Sequence, residues 1–129
     1  MRLLIDTHVI IRLVNGDSSI DPEIVRLIDD KSNQKYVSVA SLWEISIKVS
    51  INKLKMRGSI SEIVKLLSDN DISIAHIKPL HLEHLILLPF IHKDPFDRLI
   101  IAQAKTENWQ IITDDQFIVQ YPDLSVITL

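Results

Sequence analysis

The sequence predicts an α/β fold, a three-layer sandwich with a central parallel sheet covered by helices on both faces. Three observations predict it. Short apolar runs without polar alternation, such as Leu3-Leu4-Ile5, fit strands buried on both sides. Segments with helical apolar spacing separate these runs, as right-handed crossovers between parallel strands require. The 129 residues, 47% hydrophobic and 24% charged, suit one globular domain, expected to span 1–129.

The elements follow in order. Leu3-Leu4-Ile5 is the first strand. Val9, Ile10, Leu13 and Val14 then take helical spacing, closed by Asn15-Gly16-Asp17. Asp21-Pro22 is an N-cap followed by Pro at the first helical position, with Ile24, Leu27 and Ile28 as the apolar stripe. Tyr36 to Val39 is a second strand. A helix from about Ala40 to Ile51 follows, with Leu42, Ile45 and Val49 facing inward and Trp43 expected in the core or an interface. Ser59-Ile60-Ser61-Glu62 has capping-box spacing and opens a helix over Ile63–Leu67. Ile72 to Ala75 is a third strand. Pro79 begins a helix through Leu88 that Pro89 ends, and Leu85, Leu88, Phe90 and Ile91 are expected to form a core face with part available for a dimer surface. Asp94-Pro95 starts a helix reaching about Glu107. Gln110 to Thr113 is a fourth strand and Leu124 to Leu129 a fifth.

Composition excludes several classes. With no Cys, the chain has neither a disulfide framework nor a thiolate metal site. Aromatics are 5%, too few for a multi-ring platform that stacks single-stranded nucleic acid. The formal charge of −3 supplies no global basic field. The longest apolar stretch, Leu85 to Ile91, is too short to span a bilayer, so no membrane association is expected. A strand-like run at the N-terminus followed at once by Asp6 does not fit a signal peptide, so the expected location is the cytoplasm.

The carboxylates carry the functional signal. Asp6 directly follows the first strand, and Asp114 and Asp115 directly follow the fourth. In an open parallel sheet the carboxyl ends of the strands face the functional crevice. Glu44 lies about one turn into the helix after the second strand. Asp97 lies in the first turn of the helix that precedes the fourth, three residues after its N-cap Asp94. Several carboxylates in one crevice repel each other and raise each other's pKa unless cations are present. A hard divalent cation, Mg²⁺ or Mn²⁺, fits an all-oxygen donor set, with no Cys present and the histidines scattered rather than paired at ligand spacing. Such a site supports phosphodiester hydrolysis without a side-chain nucleophile.

Four segments carry a resemblance: Ile5-Asp6-Thr7-His8; Val39-Ala40-Ser41-Leu42-Trp43-Glu44-Ile45-Ser46-Ile47-Lys48; His92-Lys93-Asp94-Pro95-Phe96-Asp97-Arg98-Leu99-Ile100-Ile101-Ala102-Gln103-Ala104; and Ile112-Thr113-Asp114-Asp115. In this order they resemble the PIN-domain nucleases, and most of all the VapC-type toxins of toxin–antitoxin pairs. The resemblance implies sheet order 3-2-1-4-5 and an Mg²⁺- or Mn²⁺-dependent endoribonuclease acting as the toxin of a type II pair. It places the metal-binding and catalytic acids at Asp6, Glu44, Asp97 and Asp115. Asp114 occupies the middle position of Thr-x-Asp, where the family is not usually acidic. Thr7, Ser41 and Thr113 match hydroxyl positions that orient carboxylates or waters. The resemblance also implies an RNA substrate, a cognate antitoxin protein and a homodimer.

Other residues have two readings each. Lys48, Lys53, Lys55 and Arg57 either guide an RNA backbone or simply solubilise a helix end. Arg98 either pairs with a carboxylate or contacts the scissile phosphate. His81 and His84 share a helical face without a nearby third ligand, which argues against zinc. Two further functions compete with the nuclease. A phosphatase using Asp6 as nucleophile calls for a second Asp two residues on, where His8 stands. A PIN-like domain that only binds a partner would dispense with the acids, yet all four are present.

Overall fold

The computed structural model describes residues 1–128. Its strands are β1 (Arg2–Ile5), β2 (Gln34–Ser38), β3 (Ile72–Ala75), β4 (Gln110–Thr113) and β5 (Val126–Thr128). The helices are α1 (Thr7–Val14), α2 (Pro22–Asp29), α3 (Val39–Ser50), α4 (Ile60–Asp69), α5 (Pro79–Leu87) and α6 (Pro95–Glu107), with a 3₁₀ turn at Ile118–Gln120. The five strands form one sheet in the order β3-β2-β1-β4-β5, and every pairing is parallel. This is the expected order and the expected α/β architecture.

The pleat divides the core in two. Leu3, Ile5, Val37 and Ile112 face one side, where they pack with Ile10 of α1, Ile24 of α2, Ile45 of α3 and Ile63 of α4. Leu4 and Ile111 face the other side and meet Ile100, Ile101 and Ala104 of α6. β1 lies at the centre, with Leu4 opposite Tyr36 on one flank and Ile111 on the other. The two halves of the core therefore clamp β1, and Asp6 leaves its end at a fixed position.

Several boundaries differ from the expectation. α4 is longer than Ile63–Leu67 because its capping box begins the helix directly after Ser59, whose side chain accepts from Glu62 N–H. β5 is shorter than Leu124–Leu129: it begins at Val126, and Leu129 lies outside the described residues. The 3₁₀ turn was not anticipated, since three residues are too few to show a period. Two core assignments fail, Val49 and Phe90, and Val49 near the end of α3 is 41% exposed. Phe90 is 84% exposed, because it follows the end of α5 at Pro89 and turns away from the sheet. Trp43 is also exposed and packs edge-on against Phe96, 5.2 Å between centroids. Trp109 stacks on Tyr36 at 4.1 Å.

Leu4 is fully buried on the central strand. Leu4→Ala is expected to lower stability by about 2–5 kcal/mol through lost burial and a residual cavity. Urea unfolding monitored by circular dichroism measures this.

Candidate metal centre

Asp6 is the residue that turns β1 into α1. It has extended backbone and N-cap position, yet its side chain makes no capping bond. The carboxylate instead points to the sheet edge, where Thr113 Oγ1 at the end of β4 donates to Asp6 Oδ2 at 2.9 Å. The same Thr113 oxygen accepts from Asp115 N–H at 3.0 Å. Thr113 thus does what its position implied: one hydroxyl ties the Asp6 carboxylate to the backbone that carries Asp115.

Asp94 is a capping residue, accepting from Asp97 N–H at 2.9 Å. That bond starts α6 so that Asp97, in the first turn, is buried toward the other acids. Asp97 and Asp115 approach each other together with His92, with one ligand atom from each within 4.8 Å of the others. Glu44 is buried on α3 and receives Lys48 Nζ at 2.8 Å on Oε2. Asp6 Oδ1 and Glu44 Oε1 are buried and have no hydrogen-bond partner. Asp6, Glu44 and Asp115 all lie near enough to Asp97 for their charges to act on its carboxyl. Asp114, though adjacent in sequence, turns outward and pairs with Arg12 at 2.8 Å.

The electrostatics match this crowding. The Asp97 carboxyl is pushed up to about 8, first by burial and then by the charges of Asp6, Asp94, Asp115 and Glu44. His8 is pushed up to about 9, mainly by Asp6, whose Oδ2 lies 3.8 Å from Nδ1, with further help from Glu44 and Asp97. Lys48 is raised by Glu44. Without added cations the chain balances its acids with an imidazolium, an ammonium and a retained proton.

Structural contacts engage several of the other expected site residues. Thr7 and Ser41 are buried, but Thr7 donates to Ser41 Oγ at 2.8 Å, pinning α1 to α3. Arg98 forms no carboxylate pair among the described residues: it is buried, donating to the Pro89 carbonyl at 2.8 Å and to Tyr121 Oη at 3.3 Å, with Phe90 stacked over it. Its neighbours leave a ring of carbonyl and hydroxyl acceptors that only a forked donor fills. Lys48 is engaged by Glu44 rather than free for a backbone phosphate. Lys53, Lys55 and Arg57 follow the end of α3. Asn15, just past α1, holds the Lys55 carbonyl and the Arg57 N–H, and Gly16 makes room for the Arg57 guanidinium where a Cβ would lie 2.7 Å from it. That ties the Lys55–Arg57 segment to the C-terminal end of α1, whereas Asp6 stands at its N-terminal end. His81 and His84 bond to Glu107 and Thr106 on α6 and serve packing.

His92, which opens the third resembling segment but was not assigned to the site, lies beside Asp97. Its side chain is 8% exposed, its Nδ1 is 2.7 Å from Tyr121 Oη, and its Nε2 is 3.4 Å from Asp97 Oδ2. The available signal was its place five residues before Asp97, across the Asp94-Pro95 turn that folds the chain back.

The pKa shifts give a stability test. Asp97 keeps its proton in the folded chain up to about pH 8, whereas an unfolded Asp loses it near pH 4. Its contribution turns unfavourable as pH rises from about 4 and is complete above about 8. His8 contributes stability that is present below its ordinary 6.5 and lost as pH rises through about 9. Both signs agree, so in chelator the melting temperature is expected to fall between about pH 5 and pH 9. Asp97→Asn is expected to flatten most of that slope and to melt higher than wild type at pH 8. Thermal unfolding at stepped pH reads both outcomes.

Comparison with known proteins agrees with this architecture. The chain superposes on VapBC2 from Rickettsia felis bound to a DNA fragment from their promoter, with TM-score 0.78, 19% identity and coverage of 99% of this chain and 98% of that one. DNA-bound VapBC from Salmonella typhimurium gives TM-score 0.69 and 12% identity, with 99% and 98% covered. FitAcB from Neisseria gonorrhoeae gives 0.63 and 17%, with 97% and 96% covered. A comparison with curated proteins finds no match. The sequence matches the family model described as PIN domain over residues 3–124. With that match spanning nearly the whole chain, and with the strand order and sheet-edge acids in place, the protein belongs to the PIN domain family.

Proposed function

We propose that this protein is a divalent-metal-dependent endoribonuclease, using Mg²⁺ or Mn²⁺, and the toxin of a type II toxin–antitoxin pair. The carrying observation is the convergence of Asp6, Glu44, Asp97 and Asp115, with Asp6 Oδ1 and Glu44 Oε1 buried and unpartnered. Family membership supports nuclease chemistry, and the likeness to VapBC structures supports a toxin with a protein antitoxin. The strongly exposed Ile86, Leu87 and Phe90 suit self-association into a homodimer. No helix among the described residues is long and apolar enough to cross a membrane, in keeping with a cytoplasmic RNA substrate.

The donor set fits a hard divalent cation, being built from carboxylate oxygens with unused lone pairs. When bound, such ions activate water for attack and offset charge building on the phosphodiester. The chain does the rest. Asp6, Glu44, Asp97 and Asp115 would hold the cations, and Thr113 donates to the Asp6 carboxylate and restrains its rotation. Glu44 would offer a cation its unpartnered Oε1 while Lys48 stays paired to Oε2. Asp97 must lose its proton to serve, so metal uptake near pH 7 releases protons.

Purified protein with Mn²⁺ is expected to cut single-stranded RNA, whereas Asp6→Asn and Asp97→Asn lower the rate by at least about 100-fold with unchanged circular dichroism. Thr113→Val is expected to cost about 10–100-fold, as a lost carboxylate partner does. Induced expression of wild type, but not of Asp97→Asn, is expected to arrest growth. Cleavage retained in both Asp variants refutes the site, and calorimetry showing no Mn²⁺ uptake by wild type at millimolar concentration favours a PIN domain that only binds a partner.

A further inference from the structure

We propose that His92 is a nitrogen ligand of the metal centre, joining Asp97 and Asp115, and that it biases the centre toward Mn²⁺ and related transition ions over Mg²⁺. The inference rests on the metal-dependent reading above. Three observations carry it. The ligand atoms of His92, Asp97 and Asp115 lie within 4.8 Å of one another, close enough for one ion to bridge them. His92 is more than nine-tenths buried, and its Nε2 has no hydrogen-bond partner while lying 3.4 Å from Asp97 Oδ2. Its other nitrogen is already committed, with Nδ1 2.7 Å from Tyr121 Oη.

In the metal-ligating form His92 carries its proton on Nδ1. Tyr121 Oη accepts from Arg98 at 3.3 Å and has a second lone pair for Nδ1–H of His92. With its proton on Nδ1, the imidazole leaves the Nε2 lone pair facing the carboxylates. This is the arrangement of a metal-ligating histidine whose remote N–H is held by an oxygen partner. The ring is further fixed by Phe117, stacked at 5.6 Å, and by Tyr121 edge-on at 5.4 Å. Imidazole suits transition ions, whereas Mg²⁺ favours an all-oxygen shell, so the ring separates the two cations.

The test is pulsed electron paramagnetic resonance on Mn²⁺-loaded protein, with Mn²⁺ and Mg²⁺ titrations by calorimetry. Wild type is expected to show nitrogen modulation from a directly bound imidazole. His92→Gln is expected to lose it, with Mn²⁺ affinity down about tenfold or more and Mg²⁺ affinity changed far less. His92→Asp keeps a ligand at the position and is expected to bind Mn²⁺ without the nitrogen signal. His8→Gln is expected to keep the signal, excluding the imidazole beside Asp6 as its source. Mn²⁺ that binds wild type with only oxygen couplings overturns the inference and leaves the nuclease reading standing. Failure of wild type to bind either ion overturns both.

Discussion

Carboxylates placed together where water is scarce cannot all ionise unless positive charge accompanies them. That constraint shapes the C-terminal edge of this sheet. The chain keeps the acids folded by holding His8 and Lys48 against Asp6 and Glu44 and by retaining a proton on Asp97. These are replaceable counter-charges. A divalent ion seated among the same oxygens would bring more positive charge than any one of them.

The scaffold makes such crowding tolerable. β1 is gripped on both faces by aliphatic side chains, and Asp6 follows it with no freedom to drift. Thr113, one strand over, couples Asp6 to the backbone of Asp115. Asp94 begins α6 so that Asp97 arrives already oriented. The energy that holds like charges together comes from the buried layers, while the site's own polar contacts set direction.

Much of this was legible in the sequence because it depends on local pattern. Apolar runs and cap residues are short-range signals that give the α/β architecture, and acids at strand ends mark one edge of the sheet, while the sheet order and the choice of four acids come from the family resemblance. What stayed hidden depends on side-chain direction. Asp114 and Asp115 are indistinguishable as letters, yet one reaches Arg12 and the other the crevice. Arg98 reads as a functional cation but fills a buried ring of acceptors around Tyr121 and Pro89. Lys53, Lys55 and Arg57 seem close to Glu44 along the chain, but the rise of α3 and the tie to Asn15 carry them away. His92 looks isolated until the Asp94-Pro95 turn brings it back to Asp97.

The divergence of Asp114 and Asp115 bears on how the protein tolerates change. Two identical neighbours would suggest a built-in spare. Arg12 removes that insurance, because it anchors Asp114 to α1 and leaves a single side chain to serve the interior. Repetition in the primary structure is therefore no safeguard here: position 115 alone joins the inner acids, whereas a change at position 114 costs a surface tether.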